Sequence, residues 1–270
     1  MKRTLIALAL GAAPLLASAA LTVKGSDTMV ILAQRWAEEY MKANPGKKIQ
    51  VTGGGSGVGI AALINGTTDI ADASRAMRDD EKAKVRDRFN VLPTETAVAK
   101  DGVTIYVNES NKVEQLTLEQ LRAIFEGDIA NWKEVGGPDA KIVLYSRENS
   151  SGTYAFFKEV VLHGEDYASS AQTLPGTAAV VNAVAKEQNG IGYGGAAYAK
   201  GVREVKIVGK DGQGYLPSAE NVASGKYPLS RSLFMYTRGR PSGEAAAFIA
   251  YCLSPDGQAI VTKVGYFPVK

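Results

Sequence analysis

The chain is poor in the residues from which catalytic and metal sites are usually built. It has one cysteine, Cys252, and one histidine, His163. A single cysteine cannot form an internal disulfide. With only one cysteine and one histidine, a transition-metal site or a Cys/His catalytic pair is not expected. Cys252 lies in phase with apolar residues of a predicted helix, which favours a buried core thiol. His163 follows a predicted helix, which favours a C-terminal cap.

The chain also lacks a strong charge of either sign. It has 31 basic and 28 acidic side chains, and loss of the two basic residues near the N-terminus would leave 29 against 28. A net charge this small gives no electrostatic footprint for nucleic acid, so we expect no nucleic-acid partner. Internal repeats, low-complexity tracts and heptads are missing from the sequence as well.

The long apolar run of the chain lies within its first twenty residues. Two basic residues come first, residues 5–16 are mostly apolar, and residues 17–19 form a small-residue cleavage pattern. The run is too short for a good transmembrane span. It predicts a secretory signal peptide over residues 1–20, cleaved near Ala19 or Ala20, rather than a buried helix. The mature chain is therefore expected to be exported and periplasmic.

The remaining chain, about 250 residues long, is enough for one large or two medium domains. Short β-rich segments alternate with helical segments, for example residues 21–24 before residues 28–41. This alternation predicts an α/β fold with mainly parallel sheets. Residues 90–99 and 102–108 are predicted to form two separate strands. The chain has no Pro/Gly/Ser-rich linker, which favours domains joined by strands that cross between them.

Three turns between a predicted strand and a predicted helix are rich in glycine, serine and threonine. They lie at residues 25–28, 52–59 and 146–153. Free N–H groups at a helix start point at an anion, hydroxyls add donors, and glycine permits close approach. Arg147 adds a forked, permanent positive charge to the third turn. The pattern predicts a cradle for a small oxyanion in a cleft between two lobes.

The glycine-rich turn at residues 53–59 permits other interpretations. No Gly-Lys-Ser/Thr follows it, which excludes a P-loop. The nucleophile elbow G-x-S-x-G fails because Val58 stands in place of the last glycine. Residues 57–62 match the dinucleotide pattern G-x-G-x-x-A, a weak signal in an exported chain. A tight turn without a ligand stays open beside the oxyanion cradle.

The segment D-I-A-D-A-S-R predicts a strand that ends in Arg75. Alternate side chains of a strand share one face, which puts Asp72 and Ser74 on the same side. Arg75 is either a second guanidinium for the anion or the partner of Asp79 or Asp80 in a surface ion pair.

Two carboxylates near these turns could accept a hydrogen bond from a protonated anion. Phosphate carries a proton at neutral pH and sulfate does not, so one acceptor would distinguish these two ligands. Our hypothesis is that Asp27, or else Asp72, is this acceptor. Asp27 could instead simply cap the helix that starts at Thr28.

Seven motifs follow one another along nearly the whole mature chain. They are G-S-D-T at 25–28, G-G-G-S-G at 53–57, D-I-A-D-A-S-R at 69–75, F-E-G-D-I-A-N-W at 125–132, S-R-E-N-S-S-G-T at 146–153, G-I-G-Y at 190–193 and Y-P-L-S-R at 227–231. Any one of them is a weak signal. In this order, they resemble the periplasmic substrate-binding protein of the phosphate-specific ABC transporter.

The resemblance implies a type II periplasmic-binding-protein fold, in which two α/β lobes joined by crossing hinge strands close over one phosphate. Lobe I would comprise residues 21–98 and 229–270, and lobe II residues 99–228. Some members have an aspartate acceptor at the end of the third strand, where this chain has Ser74. The family's phosphate-contacting positions would fall on Ser26, Asp27, Thr28, Ser56, Gly57, Ser74, Arg75, Arg147, Ser151, Gly152 and Thr153.

The residues and the resemblance together predict a binding protein without catalysis, cofactor or metal. We expect a monomer that captures inorganic phosphate and delivers it to the membrane permease of an ABC transporter. A receptor for another tetrahedral oxyanion, sulfate or molybdate, is the nearest alternative. The further alternatives are an exported phosphatase with Ser56 or Ser151 as nucleophile, and an extracellular adhesin or signalling protein on the same scaffold.

Overall fold

A computed structural model describes residues 20–269 of the chain. The predicted signal peptide lies outside the described residues, apart from Ala20. The strands are β1 (Leu21–Gly25), β2 (Ile49–Thr52), β3 (Ile70–Ala73), β4 (Pro93–Val107), β5 (Gln115–Leu116), β6 (Val143–Arg147), β7 (Gln172–Leu174), β8 (Gly190–Gly195), β9 (Arg203–Val208), β10 (Gly214–Tyr215) and β11 (Ser230–Arg238). The helices are α1 (Val30–Ala43), α2 (Ser56–Asn65), α3 (Asp79–Phe89), α4 (Leu118–Glu126), α5 (Gly152–Val160), α6 (Thr177–Lys186), α7 (Ala219–Ala223), α8 (Gly243–Cys252) and α9 (Pro255–Val264).

Local sequence signals explain where several helices begin and end. Thr117 caps α4: its Oγ1 accepts from Gln120 N at 3.1 Å, and the Gln120 side chain accepts from Thr117 N at 2.9 Å. Helices α2 and α4 each end at a glycine in the left-handed conformation, Gly66 and Gly127. These caps satisfy backbone groups that a helix end leaves unpaired.

Six strands form two parallel groups, and antiparallel strands join these groups. β1 pairs in parallel with β2 and β3, and β6 pairs in parallel with β7 and β8. Between the groups, β11 runs antiparallel to β3 and β4, and β4 runs antiparallel to β8 and β9. The α/β class is confirmed, and the antiparallel pairs identify the connecting strands.

Strand β4 is one strand of 15 residues, so the prediction of two separate strands was wrong. Its first part pairs with β11 as far as Gly102, and its second part pairs with β8 from Val103 onward. An acidic residue followed by glycine usually indicates a turn. Here Asp101 instead lies opposite Arg231 on β11, which carries the ladder through the predicted break.

Apolar side chains form separate cores on the two sides of this crossing. Trp36 and Phe248 belong to the core beside β1, whereas Trp132 and Phe157 belong to the core beside β6. Cys252 is fully buried in the first core, as predicted, and burial raises its pKa well above the ordinary value. The exact lobe boundaries stay a prediction. Over residues 20–269, no helix has the length and apolar character that a membrane crossing requires.

Candidate functional site

The three turns predicted to bind an anion meet where the two groups of strands face each other. Thr28 from the first turn lies against Thr153 from the third, with their Oγ1 atoms 2.8 Å apart. Gly57 of the second turn donates its N–H to the carbonyl oxygen of Ser150 at 2.9 Å. We refer to six polar side chains here, each at most 2% exposed, as the cleft cluster: Thr28, Ser56, Ser74, Arg147, Ser151 and Thr153.

The first turn is held against β3 by a close backbone approach. Gly25 has a φ of 151°, and a Cβ there would lie 2.1 Å from the Asp72 carbonyl oxygen. Ser26 N donates to Asp72 Oδ1 at 2.9 Å and to the Asp72 carbonyl oxygen at 3.0 Å. Glycine is therefore required at residue 25, because any side chain would push the turn away from Asp72.

Asp27 joins all three turns. Its Oδ1 accepts from Gly54 N at 2.8 Å, and its Oδ2 accepts from Arg147 Nη2 at 3.0 Å. Helix α1 has Met29 as its N-cap and no side-chain cap hydrogen bond, so Asp27 does not act as the cap considered from the sequence. Both oxygens of Asp27 are thus occupied by donors from the protein.

Arg147 is the buried cation of the cleft cluster. It ends β6, and its Nη1 donates to Thr177 Oγ1 at 2.8 Å. Burial lowers the pKa of Arg147 and the Asp27 carboxylate opposes that shift. The guanidinium keeps its charge, because the ordinary pKa of arginine lies far above neutral pH. Its Nε atom is buried and has no hydrogen-bond partner among residues 20–269.

Ser56 and Ser74 form the lobe surface opposite helix α5. Ser74 N donates to Ser56 Oγ at 3.0 Å, and the two hydroxyl oxygens are 3.3 Å apart. Ser56 is the first residue of α2, so it brings the positive end of that helix to the cluster. Gly57 was predicted to contact the anion. Its N–H instead donates to the carbonyl oxygen of Ser150 across the cleft.

Helix α5 begins inside the cluster. Ser151 Oγ accepts from the N–H groups of Thr153 and Tyr154, both at 3.2 Å, so its own proton is free to donate elsewhere. A Cβ on Gly152 would lie 2.4 Å from Ser56 Oγ and 2.6 Å from Ser74 Oγ. Glycine at residue 152 therefore allows the start of α5 to reach the opposite lobe.

Arg75, predicted as a second guanidinium for the anion, is engaged elsewhere. Its Nη1 and Nη2 atoms lie 2.8 and 2.7 Å from the two carboxylate oxygens of Glu81. Burial acts to raise the pKa of Glu81, but hydrogen bonds from Arg75 and Arg78 outweigh it and lower that pKa. The structure pairs Arg75 with Glu81, and not with the aspartates considered from the sequence.

Asp72 lies on β3, two residues before Ser74. It is fully buried, and its Oδ2 has no hydrogen-bond partner among residues 20–269. Burial raises the pKa of Asp72 to about 7, although the hydrogen bond from Ser26 N opposes the shift. The Oγ of Ser26, in the turn that follows β1, is also buried and has no hydrogen-bond partner among the described residues.

Two charged residues at the cleft were missed from the sequence. Arg231 Nη2 donates to Asp101 Oδ2 at 2.8 Å and to Thr153 Oγ1 at 3.0 Å. Arg231 ends the motif Y-P-L-S-R, which supported the resemblance without receiving a role. Asp101 had no local signal, because its importance depends on a partner that lies 130 residues further along the chain.

The cleft cluster combines the guanidinium of Arg147 with several hydroxyls and the N-termini of α2 and α5, and the guanidinium of Arg231 lies beside it. Such donors suit a small, desolvated oxyanion. Ser56 and Ser151 form no hydrogen bond to an imidazole in the part of the chain that the structure describes. Over the same residues, no group of three or more His, Cys, Asp and Glu side chains could hold a metal ion.

Comparison of the sequence with known families and proteins finds close relatives. Residues 12–256 match the model of the PBP superfamily domain. The chain is 36% identical over 263 residues to the phosphate-binding protein PstS of Pseudomonas aeruginosa, covering 91% of this chain and 81% of that protein. It is 34% identical over 252 residues to PstS of Staphylococcus aureus, covering 90% and 76% of the two chains.

Solved structures show the same similarity in three dimensions. A phosphate ABC transporter substrate-binding protein with bound phosphate from Clostridium perfringens superposes with a TM-score of 0.85 and 32% identity, over 93% of this chain and 100% of that one. An ABC-type phosphate transport receptor from Vibrio cholerae superposes with a TM-score of 0.74 and 30% identity, over 92% and 99% of the two chains.

Proposed function

Because the chain belongs to the PBP superfamily, among the phosphate-binding proteins PstS, we propose that it is the substrate-binding protein of an ABC transporter and that it binds inorganic phosphate. This membership agrees with the resemblance carried by the seven sequence motifs. The observation that supports the ligand is the cleft cluster, in which buried hydroxyls from three turns come together and Arg147, bonded to Asp27 of the first turn, supplies a buried cation. We place the phosphate among these side chains.

The chemistry of the cluster supports phosphate as a desolvated ligand. Arg147, Thr28, Ser56, Ser151 and Thr153 are all able to donate hydrogen bonds. A hydrogen bond to a charged group contributes roughly 1.5–3 kcal/mol, so a handful of them can offset the cost of removing phosphate from water. Three further predicted contacts belong to this proposal: Ser26 of the first turn, Gly152 of the third turn, and Ser74, whose Oγ lies 3.3 Å from Ser56 Oγ.

Selectivity for phosphate over sulfate would come from a carboxylate that accepts the phosphate proton. Asp27, the first candidate from the sequence, already accepts from Gly54 and Arg147. Asp72, the second candidate, has one carboxylate oxygen without a partner among residues 20–269. We therefore favour Asp72. An ionised Asp72 would repel sulfate, which has no proton to donate.

Export and delivery complete the proposed function. We propose that the N-terminal segment directs the chain to the periplasm and is cleaved near Ala19 or Ala20. The mature monomer then closes over phosphate and docks on the membrane permease of its transporter. Sulfate and molybdate receptors find no support among the relatives, whose names state phosphate binding.

We also propose that the protein binds phosphate without chemistry. The hydroxyl of Ser56 accepts from Ser74 N, and that of Ser151 caps α5, so neither is paired with a base. An assay of the mature protein with an aryl phosphate tests this point directly. Release of the phenol above the uncatalysed rate, lost in Ser56→Ala or Ser151→Ala, would identify an enzyme instead.

Calorimetric titration of the phosphate-stripped mature chain tests the central proposal. We expect saturable one-to-one binding of phosphate at neutral pH and no heat from sulfate under the same conditions. Equal binding of the two anions would overturn the proposed selectivity. Absence of phosphate binding by correctly folded protein would overturn the proposed function.

A further inference from the structure

Arg231 and Asp101 face each other on the two strands that join the lobes. They are directly opposite in the antiparallel ladder of β11 and β4. The ladder with β11 continues for one more residue, Gly102, and β4 pairs with β8 from Val103 onward. The pair therefore lies at the crossing between the two groups of strands, next to the cleft cluster.

This ion pair is almost completely removed from solvent. The side chains of Arg231 and Asp101 are 4% and 1% exposed, and Asp101 Oδ2 accepts from Arg231 Nε at 3.1 Å and Nη2 at 2.8 Å. Burial of two charges costs about as much as their attraction returns, so such a pair is weak as a source of stability alone. A role toward a ligand explains its presence better.

The guanidinium of Arg231 is directed at the cleft cluster. Its Nη2 lies 3.0 Å from Thr153 Oγ1 and 3.5 Å from Thr28 Oγ1, so it contacts hydroxyls from both sides of the cleft. Its Nη1 is buried and has no hydrogen-bond partner among residues 20–269. Because arginine only donates, Thr153 Oγ1 must accept from it and can direct its own proton toward an anion.

Arg75 provides a natural comparison. It was predicted from the sequence as the second guanidinium, yet both of its terminal nitrogens bind Glu81. It also donates to the carbonyl oxygen of Ala76 at 2.9 Å. Arg75 is thus fully engaged within its own lobe, whereas Arg231 keeps a free donor beside the cluster.

We infer that Arg231, oriented by Asp101, contacts the bound anion and is the second guanidinium of the site beside Arg147. This inference rests on the proposed function. It places one ligand contact on the crossing strands themselves. The same guanidinium contacts Thr28 on one side of the cleft and Thr153 on the other, when the two sides are close together.

Calorimetric titration with inorganic phosphate tests the inference in four proteins: the wild type, Arg231→Gln, Arg75→Gln and the double variant Asp101→Asn/Arg231→Gln. We expect Arg231→Gln to weaken phosphate binding by about 30-fold or more, as for the loss of a charge-assisted hydrogen bond. Arg75→Gln, the matched control, should change the dissociation constant less than threefold. Circular dichroism and thermal unfolding verify that each variant is folded.

The double variant separates ligand contact from a structural role. If Arg231 served only to neutralise Asp101, removing both charges would relieve the uncompensated carboxylate and restore binding. If Arg231 contacts the anion, the double variant stays at least about tenfold weaker than the wild type. Binding within threefold of the wild type in both Arg231 variants would overturn the inference and leave the proposed function intact. A wild type that does not bind phosphate would overturn both.

Discussion

Arg147 donates to Asp27 across the cleft, with Nη2 3.0 Å from Oδ2. The arginine is 1% exposed and the aspartate 19%, so the pair lies at the edge of the buried region. Asp27 also binds the backbone of the glycine-rich turn at Gly54. One carboxylate thereby orients the cation that we place on phosphate and links all three binding turns.

Replacement of Arg147 should weaken phosphate binding by more than about tenfold, because a charge-assisted hydrogen bond contributes at least that factor. Arg147→Ala is compared by calorimetry with Arg122→Ala, whose side chain pairs with Glu126 on the surface of α4. The control should bind like the wild type. An unchanged dissociation constant in Arg147→Ala would remove this arginine from the site.

Gly152→Ala should hinder closure of the cleft. The added methyl group would lie 2.4 Å from Ser56 Oγ and 2.6 Å from Ser74 Oγ, so α5 could no longer reach the opposite surface. We expect phosphate binding about tenfold weaker, with little loss of stability because alanine favours helix. Gly57→Ala, whose methyl group would lie 3.3 Å from Ser150 O, should have a smaller effect. The opposite order of effects would contradict the proposed closed geometry.

Asp72 should make stability fall as pH rises. Its folded-state pKa is about 7, raised by burial from 3.8, so the folded protein favours the neutral carboxyl group. The stabilisation that this pKa difference gives to the folded state is fully present below pH 3.8 and is lost as pH rises to about 7. Urea unfolding in phosphate-free buffer measures the free energy of unfolding of Asp72→Asn and of the wild type. The value for Asp72→Asn minus the value for the wild type should rise by roughly 2–4 kcal/mol between pH 4.5 and 8. A constant difference across this range would show that Asp72 titrates normally.

The same variant should lower discrimination between phosphate and sulfate. Without a carboxylate to accept the phosphate proton, Asp72→Asn should bind phosphate about tenfold more weakly, and sulfate no more weakly than before. Asp79→Asn, which removes a fully exposed carboxylate on α3, is the control. If the ratio of the two dissociation constants stays that of the wild type, another group accepts the proton.

Much of the fold was predictable because its signals are local. The Thr117 cap depends on a residue three positions away, and the start of α5 depends on Ser151 and its immediate neighbours. The buried face of α1 follows from helical spacing, and its members Leu32 and Trp36 are fully buried. Interactions within one turn of helix are determined by the residue types themselves, so the sequence predicts them directly.

The prediction of two strands in place of β4 shows where local signals mislead. Asp101 and Gly102 resemble a turn when only their neighbours are considered. In the fold, Arg231 supplies the counter-charge that keeps Asp101 buried inside a continuous strand. The partner is too far away in sequence for any local pattern to indicate the pairing.

By itself, the sequence determined the α/β alternation, the three glycine- and hydroxyl-rich turns and the presence of Arg147 in one of them. Only the tertiary structure decided which charges face the cleft. Arg75 binds Glu81 and Arg231 reaches Thr153, although both were equally able to serve an anion. The physical reason is that a helix cap or a turn is made by adjacent residues. A buried charge instead takes whichever opposite charge the packed strands bring within hydrogen-bonding distance.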